Sequence, residues 1–170
     1  MTNLMEILVS SNYQSRNETI VMEHEPDSMK FSEKNIDYLY KIDYGLDDNW
    51  FESLQNINEM NSSRYEGYKQ IIDRITLKKL GGTAMKRGEI YGLMLGVIER
   101  KHLVIYSMIT HPNHRRKGIA KSILNELGIW AKQNDISTIY LQVETDNTAA
   151  LKLYENAGFK EVYRYRYLEK

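Results

Sequence analysis

The chain has no cysteine, only two prolines, no excess of either charge and no long apolar run. Without cysteine there is no disulfide, no thiolate metal site and no cysteine nucleophile. That composition suits a reducing compartment, so a cytoplasmic protein is expected. Lys and Arg number 23 against 23 Asp and Glu. A duplex-binding domain usually carries a basic excess, so nucleic acid is not the expected partner. No segment approaches the roughly 20 apolar residues that cross a bilayer. The opening MTNLMEILVSSNYQ has neither a basic n-region nor a long apolar stretch, so neither a signal peptide nor a membrane span is expected. What is present is a chain of 170 residues, 42% apolar, which suits one domain with a proper core.

The first half reads less clearly than the second. Leu4–Val9 and Thr19–His24 resemble short strands, and Glu33–Tyr40 and Asp48–Ile57 resemble helices. Ser62–Lys79 is the clearest helix there, with Tyr65, Tyr68, Ile71, Ile72 and Ile75 at helical spacing behind a Ser62/Ser63 cap signal. Gly81-Gly82 is expected to break the chain. Three strands follow, Thr83–Arg87, Ile90–Ile98 and His102–Thr110, the last two joined as an antiparallel hairpin by Glu99-Arg100-Lys101. Ile119, Ile123, Leu124, Leu127 and Ala131 make the apolar stripe of a helix. Thr138–Glu144 alternates, with Ile139, Leu141 and Val143 on one face. A helix from Asn147 ends at Gly158, a natural terminating glycine, and Phe159–Leu168 is a last, tyrosine-rich strand.

The order predicts one domain over residues 1–170. Residues 1–24 form an extension or added strand, 25–80 a helical region, and 83–170 a strand-rich core. The expected class is α/β of the α+β type. Its centre is a mixed, mostly antiparallel sheet of about six to seven strands flanked by helices.

Two segments carry chemistry. In THPNHRRKGIAKS (Thr110–Ser122) a strand ends and a helix opens near Gly118. The first turn of a helix has four unpaired N–H groups and about half a positive charge, an anion site well suited to phosphate. Gly118 and Ala120 let a ligand approach the backbone, and Arg115, Arg116 and Lys117 add positive charge. An ordinary basic first turn on a solvated helix would look the same. In NTAALKLYENAGF (Asn147–Phe159), Asn147 is a good N-cap, and Ala150 and Tyr154 share a helix face. Tyr154 offers a phenol, of ordinary pKa about 10, that can donate a proton. A tyrosine simply packed under the sheet gives the same pattern.

Together the two segments are far more specific. Arg115–Ala120 resembles the (Arg/Gln)-x-x-Gly-x-(Gly/Ala) pyrophosphate loop of the GNAT superfamily of N-acetyltransferases. Asn147–Phe159 is similar to that superfamily's Asn-x-x-Ala-x-x-Leu-Tyr-Glu-x-x-Gly-Phe signature. The resemblance covers residues 83–170 well and 1–80 only by element order.

The resemblance implies a GNAT fold whose sheet splays into a V-shaped slot for acetyl-CoA, with residues 83–170 binding the coenzyme and 25–80 bordering the acceptor. It implies that backbone amides of Arg116, Lys117, Gly118, Ile119 and Ala120 hold the pyrophosphate, with Lys121 and Ser122 in the following turn and Arg115 supporting the loop. Met108, Ile109 and Thr110 would pair with the pantetheine arm and aim an amide at the thioester carbonyl; such oxyanion donors contribute ~3 kcal/mol. Asn147 and Ala150 would contact the pantetheine, and Tyr154 would protonate the departing thiolate. The implied reaction is direct attack by a primary amine of a small molecule or peptide on acetyl-CoA, with no covalent enzyme intermediate. The runner-up is a non-catalytic acyl-CoA-binding or regulatory module.

The general base is the weak point. Many relatives carry a glutamate on the strand before the pyrophosphate loop, and here that strand is HLVIYSMIT. Glu144, at the end of the next strand, is one candidate and a surface strand end is its plain alternative. Glu99 and His102 sit at a distant hairpin turn, and a water chain or an already neutral amine would serve without a base. His111 and His114 offer too few ligands for a metal, so none is expected. Trp50 and Asp48 are acceptor-site candidates, since an aromatic beside a carboxylate can receive a cationic amine; helix capping by Asp47 and Asp48 is the alternative. Tyr163, Tyr165 and Tyr167 share one face of the last strand, either packed under a helix or lining the acceptor pocket.

The family usually closes with two strands after the tyrosine-bearing helix, and this chain has one. Residues 1–24 or a second subunit are the two ways to supply the other, and a bare sheet edge makes a homodimer one expectation. The tail YRYRY also resembles that of GNAT proteins with two tandem domains. That resemblance implies the C-terminal domain of such a layout with a remnant of the first.

Overall fold

A computed structural model describes residues 4–29 and 33–170. In chain order the elements are α1 (Leu4–Ser10), β1 (Gln14–His24), β2 (Leu39–Tyr44), α2 (Asp48–Ile57), α3 (Ser62–Asp73), β3 (Lys78–Lys86), β4 (Glu89–Glu99), β5 (His102–Thr110), α4 (Ile119–Gln133), β6 (Thr138–Glu144), α5 (Thr148–Ala157) and β7 (Lys160–Glu169). The strands form one seven-stranded sheet in the order β2-β3-β4-β5-β6-β1-β7. Every pairing is antiparallel except β5 with β6. The expected mixed, mostly antiparallel sheet is therefore present.

The elements form where their patterns are clean. The helical stripe Ile119, Ile123, Leu124, Leu127 and Ala131 is buried throughout and packs α4 on one side of the sheet. At Gly92 on β4 an added Cβ would lie 2.6 Å from Ile119 Cγ2, so glycine there lets the start of α4 sit directly on the strand. α5 joins the same side through Tyr154 and the apolar residues around it. α2 and α3 bury Trp50, Phe51, Leu54, Ile57 and Ile72 on the opposite side, over Ile90, Leu93 and Leu95 of β4.

The first half departs from the sequence expectations. Leu4–Ser10 is a helix, not a strand. Glu33–Tyr40 is not helical: after an irregular stretch it enters β2 at Leu39, where polar and apolar residues alternate too briefly to read. α3 stops at Asp73 rather than running to Lys79, because Lys78–Leu80 are drawn into β3. Gly81-Gly82 lies within β3 instead of breaking it; a Cβ at Gly82 would come within 2.9 Å of Met94, so the pair answers to close packing. The region 25–80 is accordingly part sheet.

The missing strand comes from the chain's own beginning. β1 pairs with β6 from Thr19↔Glu144 to His24↔Ile139, and on its other side with β7. It thus lies between β6 and β7 and leaves β7 at the edge. Ile20, Met22 and His24 face the α4 side and are buried. Tyr163 and Tyr165 of β7 pair with Val21 and Thr19 and so face the other way. Tyr163 and Tyr167 do not pack under a helix, being 54% and 63% exposed, and Tyr165 is half-buried.

Candidate active site

The site begins with a break in the sheet. β5 and β6 pair in parallel only from His102↔Thr138 to Ile105↔Leu141. At that point β5 bulges: Leu95 pairs with Ser107 and Gly96 with Ile105, leaving Tyr106 as the extra residue. A bulge adds twist and ends pairing. It also reverses the side-chain alternation. Leu103 and Ile105 face the α4 core, whereas Ser107 and Ile109 turn to the α2–α3 side and Met108 to the α4 side. Beyond the bulge the two strands diverge around a slot of about 240 Å³. Ile105, Tyr106, Ser107 and Met108 line one wall, Gln142, Val143 and Glu144 the other, and Asn147, Ala150 and Tyr154 of α5 close it.

Past Thr110 the chain makes a single helical turn, Pro112–His114, and then a loop into α4. Arg116 has φ 61° and Gly118 φ 75°, so two left-handed residues flank Lys117. Alternations of this kind turn successive N–H groups toward one point and make an anion nest. Arg87 and Arg100 take the same conformation in hairpin turns, so it is the pairing of Arg116 with Gly118, and not the arginine's φ alone, that marks this loop. α2, α3 and α5 are capped by Asp47, Asn61 and Asn147, which accept from the amides of Trp50, Arg64 and Ala150. α4 has Gly118 at its N-cap and no side-chain cap, so its first-turn amides stay available. Arg116, Lys117 and Gly118 are exposed.

The loop is bolted from several directions. Arg115 Nε donates to the Thr110 carbonyl at 3.4 Å. Lys117 Nζ donates to the Asn113 carbonyl at 3.1 Å, and Asn35 Nδ2 to the Lys117 carbonyl at 2.7 Å. The Asn35 amide donates to Ser122 Oγ at 3.1 Å. His114 stacks on Tyr91 with ring centres 3.9 Å apart, and its Nδ1 lies 2.7 Å from the Tyr38 hydroxyl. Burial, helped by Lys117, His111 and Lys86, holds the His114 pKa below its ordinary value. The neutral imidazole is thereby favoured, and its tautomer decides whether His114 Nδ1 or the Tyr38 hydroxyl is the donor.

Tyr154 is buried, its ring 5.7 Å from Phe159. Burial pushes its pKa up to about 12. The phenol keeps its proton across the physiological range, the state a hydrogen-bond or proton donor needs. Glu144 stands at the exposed end of the slot, where Asn17 Nδ2 reaches Glu144 at 3.5 Å and Asp146 at 3.2 Å.

The sequence candidates thus divide. Met108, Asn147, Ala150, Tyr154 and Glu144 come together around the slot. Thr110, Arg115, Arg116, Lys117 and Gly118 form the loop at the slot's end of β5. Ile109 turns its side chain into the α2–α3 core, and Ile119 and Ser122 are buried, so among these only backbone groups face outward. Lys121 is exposed on α4. Trp50 and Asp48 are not brought to the slot. Trp50 is 2% exposed at a separate groove between β2, β3 and α2, and Asp48 lies beside Asp47, which caps α2. The sequence reading missed Asn35, Tyr38, Ser107 and Gln142. Ser107 and Gln142 sit where only the bulge and the strand register make them neighbours. Among the described residues no cluster of three metal-ligating side chains occurs.

The arrangement agrees with comparison to known proteins. Residues 48–159 match the Acetyltransferase (GNAT) family model, and the chain belongs to that family. It is 24% identical over 139 residues, 82% of its own length and 56% of the relative's, to YobR of Bacillus subtilis (strain 168), described as an uncharacterized N-acetyltransferase. It is also 24% identical over 76 residues, 45% of this chain and 51% of the other, to the [Ribosomal protein bS18]-alanine N-acetyltransferase of Escherichia coli (strain K12). A GCN5-related N-acetyltransferase from Sphaerobacter thermophilus shares the fold, with TM-score 0.73 and 19% identity over 98% of this chain and 55% of that one. The chain spans about half the length of these relatives.

Proposed function

We propose that this chain transfers the acetyl group of acetyl-CoA to a primary amine. The observation that carries the reading is continuity: an uncapped, nest-like helix start opens onto a strand edge freed by a bulge, which leads to a buried phenol. The amides of Arg116–Ala120 bind the pyrophosphate. The free edge of β5 from Tyr106 to Thr110 pairs with the pantetheine and gives an N–H to the thioester oxygen as it becomes an oxyanion. The amine attacks the thioester carbon, the C–S bond breaks, and Tyr154 gives its proton to the sulfur. The proton shed by the amine goes to Glu144, directly or through water. Names of relatives support an amine on a peptide or protein as the acceptor class.

One feature favours a non-catalytic acyl-CoA-binding module instead: β5 carries no carboxylate. Calorimetric titration with acetyl-CoA, with Gly118→Glu as control, tests the shared part of both readings. Saturable binding that the variant abolishes supports the site, and no binding by the folded wild-type chain defeats it. Amine-dependent release of free thiol then separates transferase from module.

A further inference from the structure

The slot has two lips on the α2–α3 side of the sheet, Ser107 on β5 and Gln142 on β6. Each is held by a tyrosine from a different wall. Tyr68, on α3, has its hydroxyl 2.6 Å from Ser107 Oγ. Tyr165, on β7, donates its hydroxyl to Gln142 Oε1 at 2.7 Å. Ser107 reaches this side because of the Tyr106 bulge, and Tyr165 reaches Gln142 across β1, the strand inserted between β6 and β7. Both contacts land on the rim of the slot.

From this rim the surface continues as a ladder. Tyr163, Tyr165 and Tyr167 stand at alternate positions of β7, with ring centres 6.4 Å and 5.5 Å apart. Three alternate strand positions span about 13 Å, longer than the reacting amine itself needs. At the slot end of this surface lie the carboxylates of Glu144 and Asp146, bridged by Asn17. In the rows that pair Tyr140, Gln142 and Glu144 with β1 and β7, the charged residues are Glu144, Glu23 and Lys160, and Lys160 lies at the far end beside Glu23. Arg164 and Arg166 belong to the opposite face, where Arg164 is held by Glu161 and Glu18, and beyond Tyr167 the ladder face ends in Glu169, which is paired with Arg16 at 2.6 Å. Aromatic faces and carboxylates attract ammonium groups and repel anions.

We infer that Tyr68 and Tyr165 frame the entrance for the acceptor, and that the β7 tyrosine ladder with Glu144 selects an extended chain bearing a second ammonium group. The inference rests on the transferase reading and names the acceptor chemistry for it. One ammonium group deprotonates and reacts at the slot while the second lies over the tyrosine rings. An acceptor of the same length with an anionic end sets that charge over the negative faces of the rings and is rejected.

The test uses the full chain with ¹³C-labelled tyrosine, saturated with CoA so that no turnover occurs. It is titrated with 1,5-diaminopentane and, separately, with glutarate, a dianion of the same chain length. Saturable shifts of the Tyr163 and Tyr165 signals with the diamine, at least tenfold weaker or absent with glutarate, are expected. Tyr165→Leu is expected to weaken diamine binding at least tenfold while leaving the CoA dissociation constant unchanged. Unmoved tyrosines, equal response to glutarate, or full diamine affinity in Tyr165→Leu would each overturn the inference. CoA binding is measured first by calorimetry. A chain that does not bind CoA defeats the transferase reading and this inference with it, whereas one that binds CoA and ignores the diamine defeats the inference alone.

Discussion

Two buried side chains in this protein have their proton affinity shifted by the same cause with opposite consequences. Burial raises Tyr154 to about 12 and so fixes it as a donor. Tyr154→Phe keeps the ring against Phe159 and removes only the hydroxyl. Acetyl-CoA affinity is expected to stay within about twofold, while the transfer rate falls by roughly 10²–10⁴, the usual worth of a positioned acid; an unchanged rate would remove Tyr154 from the chemistry. Burial also lowers His24, with Lys160 adding to the effect and Glu25 opposing it. His24 is packed against Gly158 and Phe159, and its Nε2 has no hydrogen-bond partner among the described residues. The folded state therefore binds a proton less readily than the unfolded one. Stability is complete above the unfolded value of about 6.5 and declines as the pH falls below it toward the lower folded value. Urea midpoints of the wild-type chain between pH 7.5 and 5 are expected to show this decline, and His24→Phe to lessen it, His114 contributing in the same direction. A variant with the same slope would put the pH dependence elsewhere.

At the level of elements, helix starts divide the labour. Asn147 caps α5 and lines the slot, so Asn147→Ala is expected to cost about 1 kcal/mol of stability and to weaken acetyl-CoA binding. Thermal melting reads the first effect and calorimetry the second; a loss of binding with an unchanged melting temperature would assign Asn147 to the ligand alone. The elements around this site were also the most legible in the sequence. β5 and β6 fall at the expected residues, and α4 and α5 start where Gly118 and Asn147 indicated, because their periodicities are regular and their ends carry glycine or a cap. In the first half the signals were local and misleading. Leu4–Ser10 has too few residues to separate a strand from a helix, and paired glycines that serve close packing in β3 look like a chain break. The Tyr106 bulge was not readable, because its effect appears only in the register against β4. With it were hidden Ser107 and Gln142, whose importance depends on which face each presents.

The least legible feature of the whole molecule is where β1 goes. Nothing local in Gln14–His24 says that it lies between two strands that follow it by more than a hundred residues. Yet that position decides stability. Among the described residues β7 pairs with β1 alone, and β6 has only a short parallel ladder with β5 besides its pairing with β1. Ile20, Val21 and Met22 of β1 are all buried. Side chains of this kind contribute roughly 1.5–3 kcal/mol each, and a domain of this size has about 5–15 kcal/mol in total. Removal of residues 1–24 thus takes away a large share of the margin and exposes the edge of β6 beside the slot. The truncated chain is expected to lose cooperative melting and acetyl-CoA binding together. A peptide spanning residues 11–25, added in trans, is expected to restore both in proportion to its occupancy, because it refills the gap between β6 and β7. A truncated chain that melts near the wild-type temperature and binds acetyl-CoA would show that β6 and β7 can close on each other, and that β1 is an addition to the sheet rather than one of its structural members.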